Sequence, residues 1–132
     1  MRIAIVEDHP AERELIATMC AEYFNGRNVG ATAGRNAMQT VCDVFPDAKS
    51  FIESWKNSRY DLLLLDCYLV DEKRPHATTG LDIARRLRNQ NDDCAIVVIT
   101  SRTDFAVLAY EVQAIGYLLK PVSRKTFEAT ME

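Results

Sequence analysis

Four consecutive leucines, Leu62 to Leu65, run straight into Asp66. A strand with one wet face alternates apolar and polar residues, so a short unbroken apolar run describes a strand covered on both faces, the condition of parallel sheets in α/β folds. The chain repeats the pattern: Ile3–Val6 closes on Glu7-Asp8, Ala95–Ile99 on Thr100-Ser101, and Ile115–Leu119 on Lys120-Pro121, with a further strand expected over Thr40–Phe45. Amphipathic stretches separate these runs. Alternation of buried strand and amphipathic helix predicts a doubly wound, five-stranded parallel α/β sheet.

The helices follow from apolar spacing and end signals. Pro10 suits a first helical turn, Glu12 and Glu14 suit its positive end, and Leu15, Ile16, Met19 and Tyr23 give the inward face of a helix expected to fray near Asn25-Gly26. A second helix is expected over Asp47–Asn57, with Ala48, Phe51, Ile52 and Trp55 inward. A third, capped by Thr78 or Thr79, presents Leu81, Ala84 and Leu87 to the core and Arg85, Arg86 and Arg88 to solvent. The fourth covers Thr103–Val112 through Phe105, Leu108 and Val112, and a last helix begins near Ser123 with few residues left to cover the sheet edge, as if truncated. Asn25–Asn36 and Val70–Thr79 are expected loops.

A chain of 132 residues, 48% hydrophobic, supports one domain over residues 1–132 and no second. The net charge of -3 argues against binding nucleic acid by phosphate neutralisation, and three arginines on one helix read as a solvated face. The opening apolar run is too short for a signal peptide. Cys20, Cys42, Cys67 and Cys94 are scattered, and with only His9 and His76 they offer no zinc spacing, so reduced thiols in a cytoplasm are expected. Cys67 reads as a small buried hydrophobe facing away from Asp66.

In an open parallel sheet, ligand sites gather at the carboxyl edge of the strands. That edge here carries Glu7, Asp8, Asp66, Thr100 and Lys120. Carboxylates forced together repel unless a cation neutralises them, and a hard oxygen cluster favours Mg²⁺. A hydroxyl and an ammonium opposite such an ion suit the oxygens of a phosphoryl group. The set therefore describes an aspartyl-phosphate site, with Asp66, at the end of the most apolar and most central strand, as the nucleophile.

Glu7-Asp8, Leu62–Asp66, Ile99-Thr100-Ser101 and Tyr117-Leu-Leu-Lys120-Pro121 together resemble the receiver domain of bacterial two-component response regulators, over nearly the whole chain. The resemblance implies a flavodoxin-like fold. It also implies that Asp66 accepts a phosphoryl group from a sensor histidine kinase, that Lys120 contacts the phosphate, and that Thr100 and Tyr117 act as hydroxyl and aromatic switches. Glu7, Asp8, Asp66 and the main-chain carbonyl of Tyr68 would hold Mg²⁺. The activity implied is a switch with at most self-catalysed transfer, not a turnover enzyme. The stretch from Phe105 to Pro121 is similar to receivers that precede a LytTR-type DNA-binding domain. This implies a homodimer through the fourth helix, fifth strand and last helix, and transcription regulation through an output domain beyond these residues.

The chain departs from the family after the phosphoacceptor, where Leu69-Val70 replaces the usual Met-Pro and the next glycine comes only at Gly80. The loop Val70–Thr79 is therefore enlarged beside the site, where it would limit water access or kinase docking. Three rival readings remain. An aspartyl phosphatase wants an acid/base Asp two residues beyond the nucleophile, where Tyr68 stands. A nucleotide-binding domain wants a glycine-rich loop after the first strand, where Glu7-Asp8-His9-Pro10 stands. A phosphorylation-independent pseudo-receiver, an interaction module on the same fold, is the alternative that the complete acidic, Thr and Lys set opposes.

Overall fold

The computed structural model describes residues 1–28, 40–66, 80–100 and 110–131. The expected loop at Val70–Thr79, the main chain of Tyr68, Cys67, His76, Ser101, the caps Thr78 and Thr79, and Phe105 and Leu108 lie outside these residues, as does all of Asn25–Asn36 beyond Asn28. The five strands, β1 (Arg2–Val6), β2 (Val41–Phe45), β3 (Leu62–Asp66), β4 (Ala95–Thr100) and β5 (Gly116–Leu119), form one parallel sheet in the order β2-β1-β3-β4-β5. Four helices are described: α1 (Pro10–Asn28), α2 (Ala48–Trp55), α3 (Gly80–Asn89) and α4 (Arg124–Met131).

The leucine run of β3 divides as a both-face strand must. Leu63 and Leu65 enter a core with Phe51 of α2 and Ile83 and Leu87 of α3, while Leu62 and Leu64 enter a second core with Ile16 of α1 and Phe127 of α4. All of β3 is buried, and its place in the middle of the strand order is the expected one. Local chemistry sets the helix starts. The Asp47 carboxylate accepts the Ser50 N–H at 2.8 Å to cap α2, and the Ser123 hydroxyl accepts the Thr126 N–H at 3.2 Å to cap α4.

Three expectations need correction. Leu15 is 44% exposed, and Cys20 takes its place in the core. Residues 16, 19, 20 and 23 lie on one helical stripe at steps of three and four, and Leu15 falls at its edge. The backbone of α1 stays helical to Asn28, past Asn25-Gly26, where fraying was expected. Arg88 is not part of a solvated face. Its guanidinium donates to the carbonyls of Val112 (2.8 Å), Asp92 (2.8 Å), Cys94 (2.9 Å) and Gln113 (3.2 Å), tying the end of α3 to the segments that lead into β4 and β5.

Candidate functional site

Strand register brings the chemistry-bearing residues to one edge. Val6 pairs with Leu65, so Glu7, the next residue, comes beside Asp66. Asp66 pairs with Ile99, which places Thr100 one step beyond, and Thr100 pairs with Leu119. The Lys120 N–H then donates to the Thr100 carbonyl at 2.8 Å, extending the ladder past the end of β5. A cis Lys120-Pro121 bond follows.

The Lys120 ammonium gathers the site. Its Nζ lies 3.1 Å from Asp66 Oδ2, 2.9 Å from Glu7 Oε2 and 2.6 Å from Glu12 Oε2. Burial pulls its proton affinity down, but Glu12, Glu7 and Asp66 outweigh that and hold it above the ordinary lysine range, so it stays charged. Thr100 is wholly buried, while Glu7 and Asp66 are 1% and 3% exposed.

Glu7 is a strongly perturbed acid. Burial pushes its carboxyl up to about 8, with Lys120 pulling the other way and the Asp66 charge adding to the rise. Its Oε1 accepts the His9 N–H at 3.1 Å, and Arg13 donates to its main-chain carbonyl at 3.1 Å. These contacts fix the turn from β1 into α1.

One oxygen each from Glu7, Asp8 and Asp66 lie within 4.8 Å of one another. Among the described residues, Glu7 Oε2 is buried and, although ion-paired with Lys120, accepts no aligned hydrogen bond. Clustered carboxylates with an oxygen left under-coordinated suit a hard, oxygen-seeking divalent cation such as Mg²⁺. The expected acids thus come together, with Asp8 at the more exposed rim.

Tyr117 pairs with Val98, two residues before Thr100 on β4, so the pleat directs Tyr117 and Thr100 to the same face of the sheet. Tyr117 packs, half-buried, against the core shared with α2 and α3. Glu12 was not expected in the site. Its sequence position in the first turn of α1 reads as a partner of the helix dipole, but from that turn its carboxylate also reaches Lys120.

The sequence matches the response regulator receiver domain family over residues 3–132. The chain belongs to that family. This receiver domain is 32% identical over 122 residues to the positive alginate biosynthesis regulatory protein of Pseudomonas aeruginosa, covering 92% of the chain and 42% of that relative. It is 29% identical over 128 residues to the sensory transduction protein LytR of Staphylococcus haemolyticus, covering 97% and 43%. The chain therefore spans less than half the length of these curated relatives. Among solved structures, the response regulatory domain of mrkE from Klebsiella pneumoniae superposes with a TM-score of 0.78 at 20% identity, over 99% of this receiver domain and 92% of that chain. The Vibrio cholerae chemotaxis protein CheY4 gives 0.72 at 17% identity, over 98% and 94%. At such identities the likeness is one of fold, and it agrees with the parallel five-stranded sheet.

Proposed function

We propose that this receiver domain is a phosphorylation-controlled signalling switch and that Asp66 is its phosphoacceptor. The observation that carries the reading is the convergence, on one sheet edge, of Asp66 with Lys120 at 3.1 Å and with the acidic pair Glu7-Asp8. Asp66 Oδ attacks the phosphorus of a sensor kinase phosphohistidine, the new O–P bond forms as the N–P bond breaks, and the histidine ring leaves. Lys120 meets the incoming phosphoryl oxygens as a fixed cation, and the Thr100 hydroxyl offers a donor from the end of β4. Glu7, Asp8 and Asp66, with the main-chain carbonyl of Tyr68, would hold Mg²⁺, which would neutralise the charge that gathers there.

The switch follows from what Thr100 and Tyr117 share. A hydroxyl drawn toward the phosphoryl group vacates space on the face where Tyr117 lies, and the ring turns inward. The altered surface is then that of β5 and its neighbours, where Tyr110, Ile115 and Leu119 are exposed at 84%, 67% and 46%. This face favours a homodimer, and a LytTR-type output domain would convert pairing into promoter binding. One relative named as a regulatory protein, and the greater length of both relatives, support that arrangement. A cytoplasmic place fits a kinase partner; among the described residues no helix is long and apolar enough to cross a membrane.

The test is phosphate-affinity electrophoresis after exposure to phosphoramidate, with Mg²⁺ or with chelator, followed by sizing. A retarded species that needs Mg²⁺ and elutes as a dimer supports the switch. Retardation indifferent to chelator contradicts the metal assignment, and a phosphorylated monomer contradicts the dimer.

A further inference from the structure

Glu12 belongs to no strand end, yet it makes the shortest contact in the site. Its Oε2 is 2.6 Å from Lys120 Nζ, against 2.9 Å for Glu7 and 3.1 Å for Asp66. An ammonium has three N–H donors and no more. Glu12 and Asp66 each take one of these donors and Glu7 stands against the ammonium at ion-pair distance, so a phosphoryl oxygen approaching Nζ competes with carboxylates already in place. Glu7 and Asp66 are anchored at strand ends, with side chains 1% and 3% exposed, whereas the Glu12 side chain is 39% exposed. Glu12 is the one that water can take back.

The geometry points to Glu12 as a latch on Lys120: a positioning residue that holds the ammonium in the unphosphorylated chain and is displaced when a phosphoryl group on Asp66 takes the same donor. The inference rests on the reading of Asp66 as phosphoacceptor and adds a competitor to it. Leu15, Ile16, Pro121 and Val122 surround a small cavity of about 50 Å³ against the pair. Apolar flanks leave the attraction less screened than at an open surface. The latch therefore sets how tightly the site holds a phosphoryl group, because that group must outbid a carboxylate already in place and carries like charge toward it.

The test uses the whole chain with Glu12→Gln and Glu12→Asp. In a thermal-unfolding cycle of Glu12→Gln with Lys120→Met, run in chelator, the two losses are expected to be non-additive; additivity would show that Glu12 does not hold Lys120 and overturn the latch. Binding of beryllofluoride, a phosphoryl mimic, is then followed by NMR shifts in the presence of Mg²⁺. Glu12→Gln is expected to tighten it about three- to tenfold, the scale of a partly exposed charge-assisted contact. Glu12→Asp keeps the charge but is one methylene short of Nζ, and is expected to tighten binding similarly. Wild-type affinity in Glu12→Asp would reduce Glu12 to a background charge, and unchanged or weaker binding in both variants would remove the competition; either result overturns the proposal while leaving Asp66 as acceptor. Failure of the wild-type chain to bind the mimic would instead remove the phosphoacceptor reading, and the latch with it.

Discussion

Lys120 shows how a single cation holds an otherwise repulsive edge together. It stands 15% exposed between two almost fully buried acids, within ion-pair distance of both Glu7 and Asp66. Removing one partner of a buried ion pair leaves uncompensated charge, so Lys120→Met is expected to cost about 3 kcal/mol of stability in chelator. Millimolar Mg²⁺ should restore more of the melting temperature in Lys120→Met than it adds to the wild type, since a cation bound only by the folded state stabilises by mass action. Equal Mg²⁺ increments in the two proteins, read by calorimetry, would contradict the assignment of Glu7, Asp8 and Asp66 as a cation site. At this scale the strand-end residues were legible in the sequence because an apolar run that stops at a charged residue locates that residue at the sheet edge. Glu12 was not, because a glutamate in a first helical turn already has a sufficient reason to be there, and only its contact with Lys120, 108 residues away in sequence, reveals a second.

At the scale of elements, β3 was readable from composition alone: four leucines with no polar residue among them leave no face for water, and both cores receive two of them. The amphipathic helices were less exact. On α1, Leu15 falls outside the buried stripe and Cys20, not included in the expected face, lies within it, because a short stripe read from one end drifts by a residue, while on α3 Ile83 is wholly buried though the expected face was drawn through Leu81, Ala84 and Leu87. Arg88 was misread for a different reason, since charge says nothing of what carbonyls lie within reach. Its planar fork meets four of them, a geometry that a lysine cannot copy. Arg88→Ala is therefore expected to destabilise by about 2–3 kcal/mol through carbonyls left without a donor, and Arg88→Lys to recover less than half of that. Urea denaturation of the three proteins checks it; full recovery by lysine would show that charge alone matters. A glycine has a comparable structural task at β5: a Cβ on Gly116 would stand 2.5 Å from Thr130 Cγ2 of α4, so Gly116→Ala should loosen the last helix and lower the melting temperature.

The whole molecule joins a closed acidic edge to an open apolar flank. Order β2-β1-β3-β4-β5 puts Asp66 in the middle strand and β5 at the rim, with one intervening strand, ending in Thr100, between them, and the proposed switch would act through that strand. Phe127 of α4, buried with Ile16 and Tyr23 of α1, holds the last helix against the face opposite α2 and α3, and Arg124 pairs with Glu22 at its exposed side. If the flank is the output surface, Leu119→Glu should leave phosphorylation by phosphoramidate intact and abolish the accompanying shift in size; a dimer that survives the substitution would place the interface elsewhere. How the enlarged stretch after Asp66 contributes was legible only as length, because polar loops carry no periodicity from which to read a conformation. The central claim is that Asp66 takes the phosphoryl group, and it is tested most directly by intact mass spectrometry of the wild type and Asp66→Asn after phosphoramidate and Mg²⁺, and again with a cognate kinase. One phosphoryl adduct, stable in acid, labile in base and absent from Asp66→Asn, is the predicted result. An adduct that persists in Asp66→Asn, or none from either donor on the wild type, would contradict the account, and the second outcome would leave a phosphorylation-independent binding module on the same fold.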